Sequence, residues 1–239
     1  MERAFALGRT KLLYGAALLL VHCVAGCSQP SDDATAPSVE RADAPAAPAA
    51  LTADTKLVMA FGDSLYAGYN VKQDESFPAQ LEKALSAKGL KVSVHNAGVS
   101  GDTTAAGLQR LAFALDGLPR KPDLVILGLG GNDMLRGISP DQTQSNMEAM
   151  MAELKKRDIP VVLTGMIAAP NLGQNYAQQF NPIFVKLAEK YDADLYPFFL
   201  DGVIQDPKLM LPDGVHPNPQ GIAKVVGNVS DMVAEELQG

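Results

Sequence analysis

The chain has 239 residues and a mass of 25.3 kDa, enough for one sizeable domain, and its 47% hydrophobic and 20% charged residues are those of an ordinary globular protein. A formal charge of −7 and a pI near 4.9 supply no basic field for phosphate backbones, so nucleic acid is not an expected partner. Both cysteines, Cys23 and Cys27, lie near the start, which leaves the rest without a disulfide framework or thiolate metal site; no metal or organic cofactor is expected, and the absence of tryptophan removes the usual platform for stacking sugars.

Arg3, Arg9 and Lys11 precede an apolar run from Leu12 to Ala25, too short to span a bilayer as a helix but suited to the core of a secretory signal. The run ends Val24-Ala25-Gly26-Cys27, which resembles the lipobox of bacterial lipoproteins. The resemblance implies cleavage after residue 26 and lipidation of Cys27, the alternative being an ordinary signal peptide with an incidental cysteine. Ser28 stands where an Asp would resemble an inner-membrane retention signal, so the expected location is periplasmic, anchored at the outer membrane. Residues 28–53 are Ala, Pro, Ser and Asp with almost no large apolar side chain, and cannot repay the entropy of ordering. As a flexible linker they would reach roughly 28 Å, enough to hold a domain clear of a membrane. The expected division is a signal peptide over 1–26, a lipidated Cys27 with its linker over 27–53, and a single domain over 54–239. That domain carries 16 Lys and Arg against 22 Asp and Glu, so any membrane attachment rests on the acyl anchor and not on charge.

Leu57 to Phe61 is a continuous apolar run closed by Gly62-Asp63, the pattern of a strand buried on both faces. Phe77 to Lys88 spaces Leu81, Ala84 and Leu85 at helical intervals and stops at Gly89. A strand at Val92–Val94, a helix from Thr103 to about Leu115, and a strand at Leu124–Leu127 follow. A helix over about Gln142 to Arg157 leads into a strand at Val161–Leu163. The spacing then predicts one helix from Tyr176 to Lys190, a short strand near Leu195-Tyr196, and a last helix from Pro219 to about Leu237. Five strands alternating with helices predict an α/β fold, a three-layer α/β/α sandwich with a five-stranded parallel sheet of the flavodoxin-like kind. Sites in such sheets form beyond the carboxyl ends of the strands.

Those positions read Gly62-Asp63-Ser64-Leu65, Ser100-Gly101-Asp102 and Gly130-Gly131-Asn132-Asp133, with Asp213-Gly214-Val215-His216 before the last helix. With these four blocks in order, residues 54–239 resemble the SGNH, or GDSL, hydrolases, and most of all their bacterial arylesterase and thioesterase/lysophospholipase branch. One block alone would be weak, since a Gly-Asp-Ser tripeptide occurs by chance. The resemblance implies a catalytic Ser64, His216 and Asp213, and an oxyanion hole made of the Ser64 and Gly101 N–H groups and the Asn132 side-chain amide.

The residues support the same chemistry independently of the resemblance. A serine hydroxyl needs a neighbouring base, and the base needs an acceptor that fixes its tautomer. His22 would leave with the signal peptide, and His95 ends a predicted strand with no carboxylate near it in sequence, which favours His216 as the base. Pro217 pushes His216 toward extended angles and so onto a loop, while Asn218 and Pro219 form an N-cap and first helical residue immediately behind it. Gly214 lets the chain turn so that Asp213 can reach the ring; read alone, Pro212-Asp213-Gly214 is also a common Asx-turn sequence. Asp63 and Asp133 are read as turn and hydrogen-bond supports and not as a glycosidase acid pair. No G-x-S-x-G elbow surrounds Ser64, which excludes an α/β-hydrolase.

Topology brings Tyr66, Tyr69, Met134, Leu135, Ile167, Leu172 and Val215 toward the site as candidate pocket residues, and the loop with Pro170 either covers the substrate or is a plain connection. The reading is a monomeric serine esterase for small aryl and short-to-medium acyl esters, with thioesters and lysophospholipids within reach. The alternatives are a carbohydrate O-deacetylase using the same machinery and a non-catalytic envelope-binding lipoprotein.

Overall fold

In the computed structural model, which describes residues 51–239, the chain alternates strands and helices. In order they are β1 (Lys56–Gly62), α1 (Ser64–Ala67), α2 (Phe77–Ala87), β2 (Val92–Gly98), α3 (Thr104–Asp116), β3 (Leu124–Gly128), α4 (Gly131–Leu135), α5 (Pro140–Lys156), β4 (Val161–Thr164), α6 (Gly173–Phe180), α7 (Pro182–Tyr191), β5 (Asp194–Tyr196) and α8 (Pro219–Gln238). The signal peptide, Cys27 and most of the linker lie outside the described residues. The strands form one parallel sheet in the order β2-β1-β3-β4-β5, the flavodoxin-like order, as the alternation predicted.

The central strands β1, β3 and β4 are buried on both faces because they lack polar alternation. Leu57, Met59 and Phe61 of β1 face a core with Leu111 and Leu115 of α3, Met147 and Met150 of α5, and Phe180 and Phe184 from α6 and α7. Val58 and Ala60 point the other way, onto Phe77, Leu81 and Leu85 of α2 and Val225, Val229 and Val233 of α8. Truncating such a fully buried Leu to Ala costs about 2–5 kcal/mol.

The single helix expected over Tyr176–Lys190 is two helices. Pro182 has no N–H to continue the α6 ladder and instead opens α7, with Asn181 at the junction. The break frees the Asn181 side chain, whose Oδ1 accepts the Ala168 N–H at 2.8 Å and so holds the loop after β4.

The carboxyl ends of the three adjacent strands β2, β1 and β3 carry glycines in register, Gly98 beside Gly62 beside Gly128. A methyl group on Gly62 would fall 2.3 Å from the Tyr66 ring, one on Gly128 would fall 2.4 Å from the Tyr66 hydroxyl, and one on Gly98 would fall 2.2 Å from the Ala67 nitrogen. The short helix that begins with Ser64 therefore seats directly on sheet backbone.

Candidate active site

Ser64 is the first residue of α1, capped by Asp63, whose Oδ1 accepts the Leu65 N–H at 3.0 Å. Gly68, at φ 84°, ends α1 after one turn and donates its N–H to the Ser64 carbonyl. Fixed in this way, Ser64 Oγ lies 2.8 Å from Nε2 of His216. The other ring nitrogen, Nδ1, lies 2.8 Å from Asp213 Oδ2.

The loop bearing the imidazole is built as the sequence suggests. Asn218 caps α8 by accepting N–H groups from Gln220 and Gly221, with Pro219 at the first helical position. Gly214 takes φ 67°, a left-handed conformation that other residues adopt at a cost. The two readings of Asp213 both hold: Oδ1 accepts the N–H groups of Val215 and His216 in an Asx-type turn, while Oδ2 faces the ring. Burial raises the Asp213 carboxyl, but these backbone donors and the His216 ring outweigh it and hold it at about 2. The group is thus an anionic acceptor throughout the neutral range. Tyr69 lies against the imidazole, ring centroids 4.3 Å apart, and His95 is exposed on edge strand β2, remote from this relay.

Ser64, Gly101 and Asn132, each of which carries an N–H donor, line the same cavity. The Ser64 N–H opens a helix and so has no intrahelical acceptor. Gly101, at φ 87°, lies in the loop after β2, and Arg136 donates to its carbonyl at 2.7 Å, tying that loop to α4. Asn132 projects from α4. Asp133 beside it is fully buried and accepts the Thr104 N–H at 2.8 Å and the hydroxyls of Thr104 and Thr143, joining α4 to the start of α3.

These groups open onto a cavity of about 420 Å³ lined by Ser64, Gly101, Asn132 and His216 together with mainly apolar side chains. Met134, Leu135 and Val215 line it as expected, as does Tyr69. Tyr66 does not: it is 1% exposed, packed between Phe77 and Phe199, with its hydroxyl 2.8 Å from Thr164 Oγ1. Its ring lies inward because the glycine ends of β1 and β3 leave a space there. Ile167, Pro170 and Leu172 are also displaced from the expected role; the loop contributes Met166 and Ala169 to the cavity instead. Ala169 donates its N–H to Met134 Sδ at 3.1 Å, which turns that residue inward, while Leu172 packs against the core. Leu200 and Ile204, from the turns after β5, complete the wall and had no signal in the hydrophobic spacing.

Among the described residues no group of His, Cys, Asp and Glu is placed to hold a metal ion. The arrangement can deprotonate a serine, receive a carbonyl carbon from an apolar cavity and meet a developing oxyanion with fixed donors, as a serine hydrolase requires. The GDSL-like Lipase/Acylhydrolase family model matches residues 60–224, and the chain belongs to that family. It is 41% identical over 189 residues to an arylesterase of Vibrio mimicus, covering 79% of this chain and 91% of the relative. It is 36% identical over 189 residues to thioesterase 1/protease 1/lysophospholipase L1 of Escherichia coli K12, covering 79% and 86%. The crystal structure of AlinE4, an SGNH-hydrolase family esterase, superposes with a TM-score of 0.67 at 50% identity, covering 77% of this chain and 98% of that one. The protein is a carboxylic ester hydrolase. These relatives favour neither the carbohydrate deacetylase nor the non-catalytic lipoprotein.

Proposed function

We propose that Ser64 is the nucleophile, His216 the general base and acid, and Asp213 the group that orients and stabilises the imidazolium. The observation that carries this is the continuous relay Ser64 Oγ, His216 Nε2, His216 Nδ1 and Asp213 Oδ2, with 2.8 Å at each join, at the floor of an apolar cavity. Ser64 Oγ attacks the ester carbonyl while its proton passes to Nε2. The oxyanion accepts from the N–H groups of Ser64 and Gly101 and from the Asn132 amide. Collapse expels the alcohol, which takes the proton from His216, and leaves an acyl group on Ser64. Water, deprotonated by the same nitrogen, then releases the acid.

The substrates proposed are aryl esters and short-to-medium acyl esters, with thioesters and lysophospholipids in the same range. The apolar walls supplied by Met134, Leu135, Met166, Ile204 and Val215 suit an acyl or aryl group, and the relatives' names point the same way. We also propose that Cys27 carries a lipid anchor and that the domain works in the periplasm at the outer membrane. That rests on the charged start, the short apolar run and the small residues before Cys27. Every proposed catalytic group comes from one chain, which suits a monomer.

The deciding experiment is covalent labelling with a fluorophosphonate. One label per chain is expected at Ser64, lost in Ser64→Ala; labelling of that variant equal to the parent overturns the assignment. Metabolic labelling with palmitate should be lost in Cys27→Ala, and release of an unacylated soluble product from the parent protein refutes the anchor.

A further inference from the structure

Three buried carboxylates surround the site, and two have evident partners. Asp102 is paired with Arg110, and Asp133 is taken up by Thr104 and Thr143. Asp63 is 4% exposed and has no cationic side chain in a salt bridge with it among the described residues. Its Oδ1 is committed to the Leu65 N–H at 3.0 Å, and its Oδ2 faces Nδ2 of Asn132 at 3.4 Å.

A primary amide is nearly symmetric in shape, so sterics alone barely distinguish the end that donates from the end that accepts. Its surrounding hydrogen bonds decide. An ionised carboxylate can only accept, and it therefore draws the NH2 end of Asn132 toward itself. One N–H is then spent on Asp63 and the second is left to face the cavity beside Ser64 and Gly101. With the amide reversed, Oδ1 would meet both the carboxylate and the developing alkoxide, repelling each.

We propose that Asp63 is the positioning residue that sets the polarity of the Asn132 amide, so that the oxyanion meets an N–H and not a C=O. The inference rests on the reading of Asn132 as an oxyanion donor. It gives the acidic residue before the nucleophile a task beyond capping α1, and in catalysis that task bears on the transition state and not on substrate binding.

Asp63→Asn tests it without changing shape. The substituted Oδ1 remains committed to Leu65, so the new NH2 must face Asn132 and donate to its Oδ1, which reverses the amide. Steady-state hydrolysis of a p-nitrophenyl ester should show kcat reduced about 10²-fold or more, approaching the loss in Asn132→Ala, with KM within about threefold of the parent. The double variant should be no slower than Asn132→Ala alone, since the two changes remove one interaction. Affinity for an arylboronic acid, which mimics the tetrahedral state, should fall with kcat. Asp63→Ser, which keeps a capping oxygen, should lose at least about tenfold in kcat at unchanged KM and serves if the first variant does not fold. An Asp63→Asn protein with kcat within threefold of the parent beside a crippled Asn132→Ala overturns the inference and leaves the oxyanion reading intact, and so does a double variant whose losses multiply. An Asn132→Ala protein with unimpaired kcat overturns both.

Discussion

Replacing Asp63 by Asn should also make the protein more stable, by an amount that depends on pH. Burial raises the Asp63 carboxyl from 3.8 to about 6, against the opposing pull of the Leu65 N–H, the His216 ring and the Asn132 amide. The folded protein therefore binds more protons at this position than the unfolded chain between about pH 4 and 6, and stability falls as pH rises through that window. The stabilisation is complete below 3.8 and gone above about 6, a total of about 3 kcal/mol at 1.36 kcal/mol for each pH unit of displacement. Asp63→Asn removes the titration while keeping an acceptor for Leu65. Urea unfolding of both proteins at pH 4.5, 6 and 8 should give a stability difference in favour of the variant that grows with pH, reaching about 2–3 kcal/mol at pH 8. Depressed carboxylates such as Asp213 titrate in the opposite sense but are common to both proteins and cancel in the difference. A difference that stays flat or shrinks from pH 4.5 to 8 would refute the account of a carboxylate forced to ionise under cover. The gain in stability should accompany the loss of kcat, because the carboxylate is kept at a site that disfavours its charge.

Three further outcomes are expected. Asp213→Asn should retain more activity than His216→Ala, since the imidazole can still reach Ser64 when its acceptor is weakened; kcat/KM for one aryl ester ranks the two. Gly98→Ala should destabilise by about 2 kcal/mol or more because its methyl would meet the Ala67 nitrogen at 2.2 Å, whereas Gly227→Ala, in an exposed stretch of α8 with open space around it, should stabilise by about 0.5–1 kcal/mol in thermal melts. Tyr66→Phe should cost about 1–2 kcal/mol by leaving Thr164 Oγ1 short of its buried partner, while the preference across a series of ester chain lengths stays as in the parent.

Sequence made the proposed oxyanion and nucleophile positions readable because each follows an apolar run and the parallel topology sends all such positions to one edge. Ser64, Gly101 and Asn132 lie after β1, β2 and β3, adjacent strands in the sheet. His216 was readable from Pro217, Asn218 and Pro219, which fix a loop and a helix start by local sterics. The pocket was less readable. Tyr66 sits two residues past Ser64, but whether it faces substrate or core depends on three glycines that become neighbours only when the strands align in register. The segment holding Leu200 and Ile204 is a series of turns with no period to follow. Across α6 and α7 the amphipathic spacing runs on over Asn181-Pro182, so the hydrophobic pattern concealed the break that the proline imposes.

The bare glycine rim under α1 separates two problems that an enzyme often has to solve together. The height and direction of the Ser64 hydroxyl are set by peptide planes, while the chemistry of the walls is set by side chains from α4 and from the loops after β4 and β5. Substitutions in those loops can change which acyl group is admitted and leave the attack trajectory as it was. A descendant of this chain can therefore change its diet one wall residue at a time, but has almost no freedom at positions 62, 98 and 128.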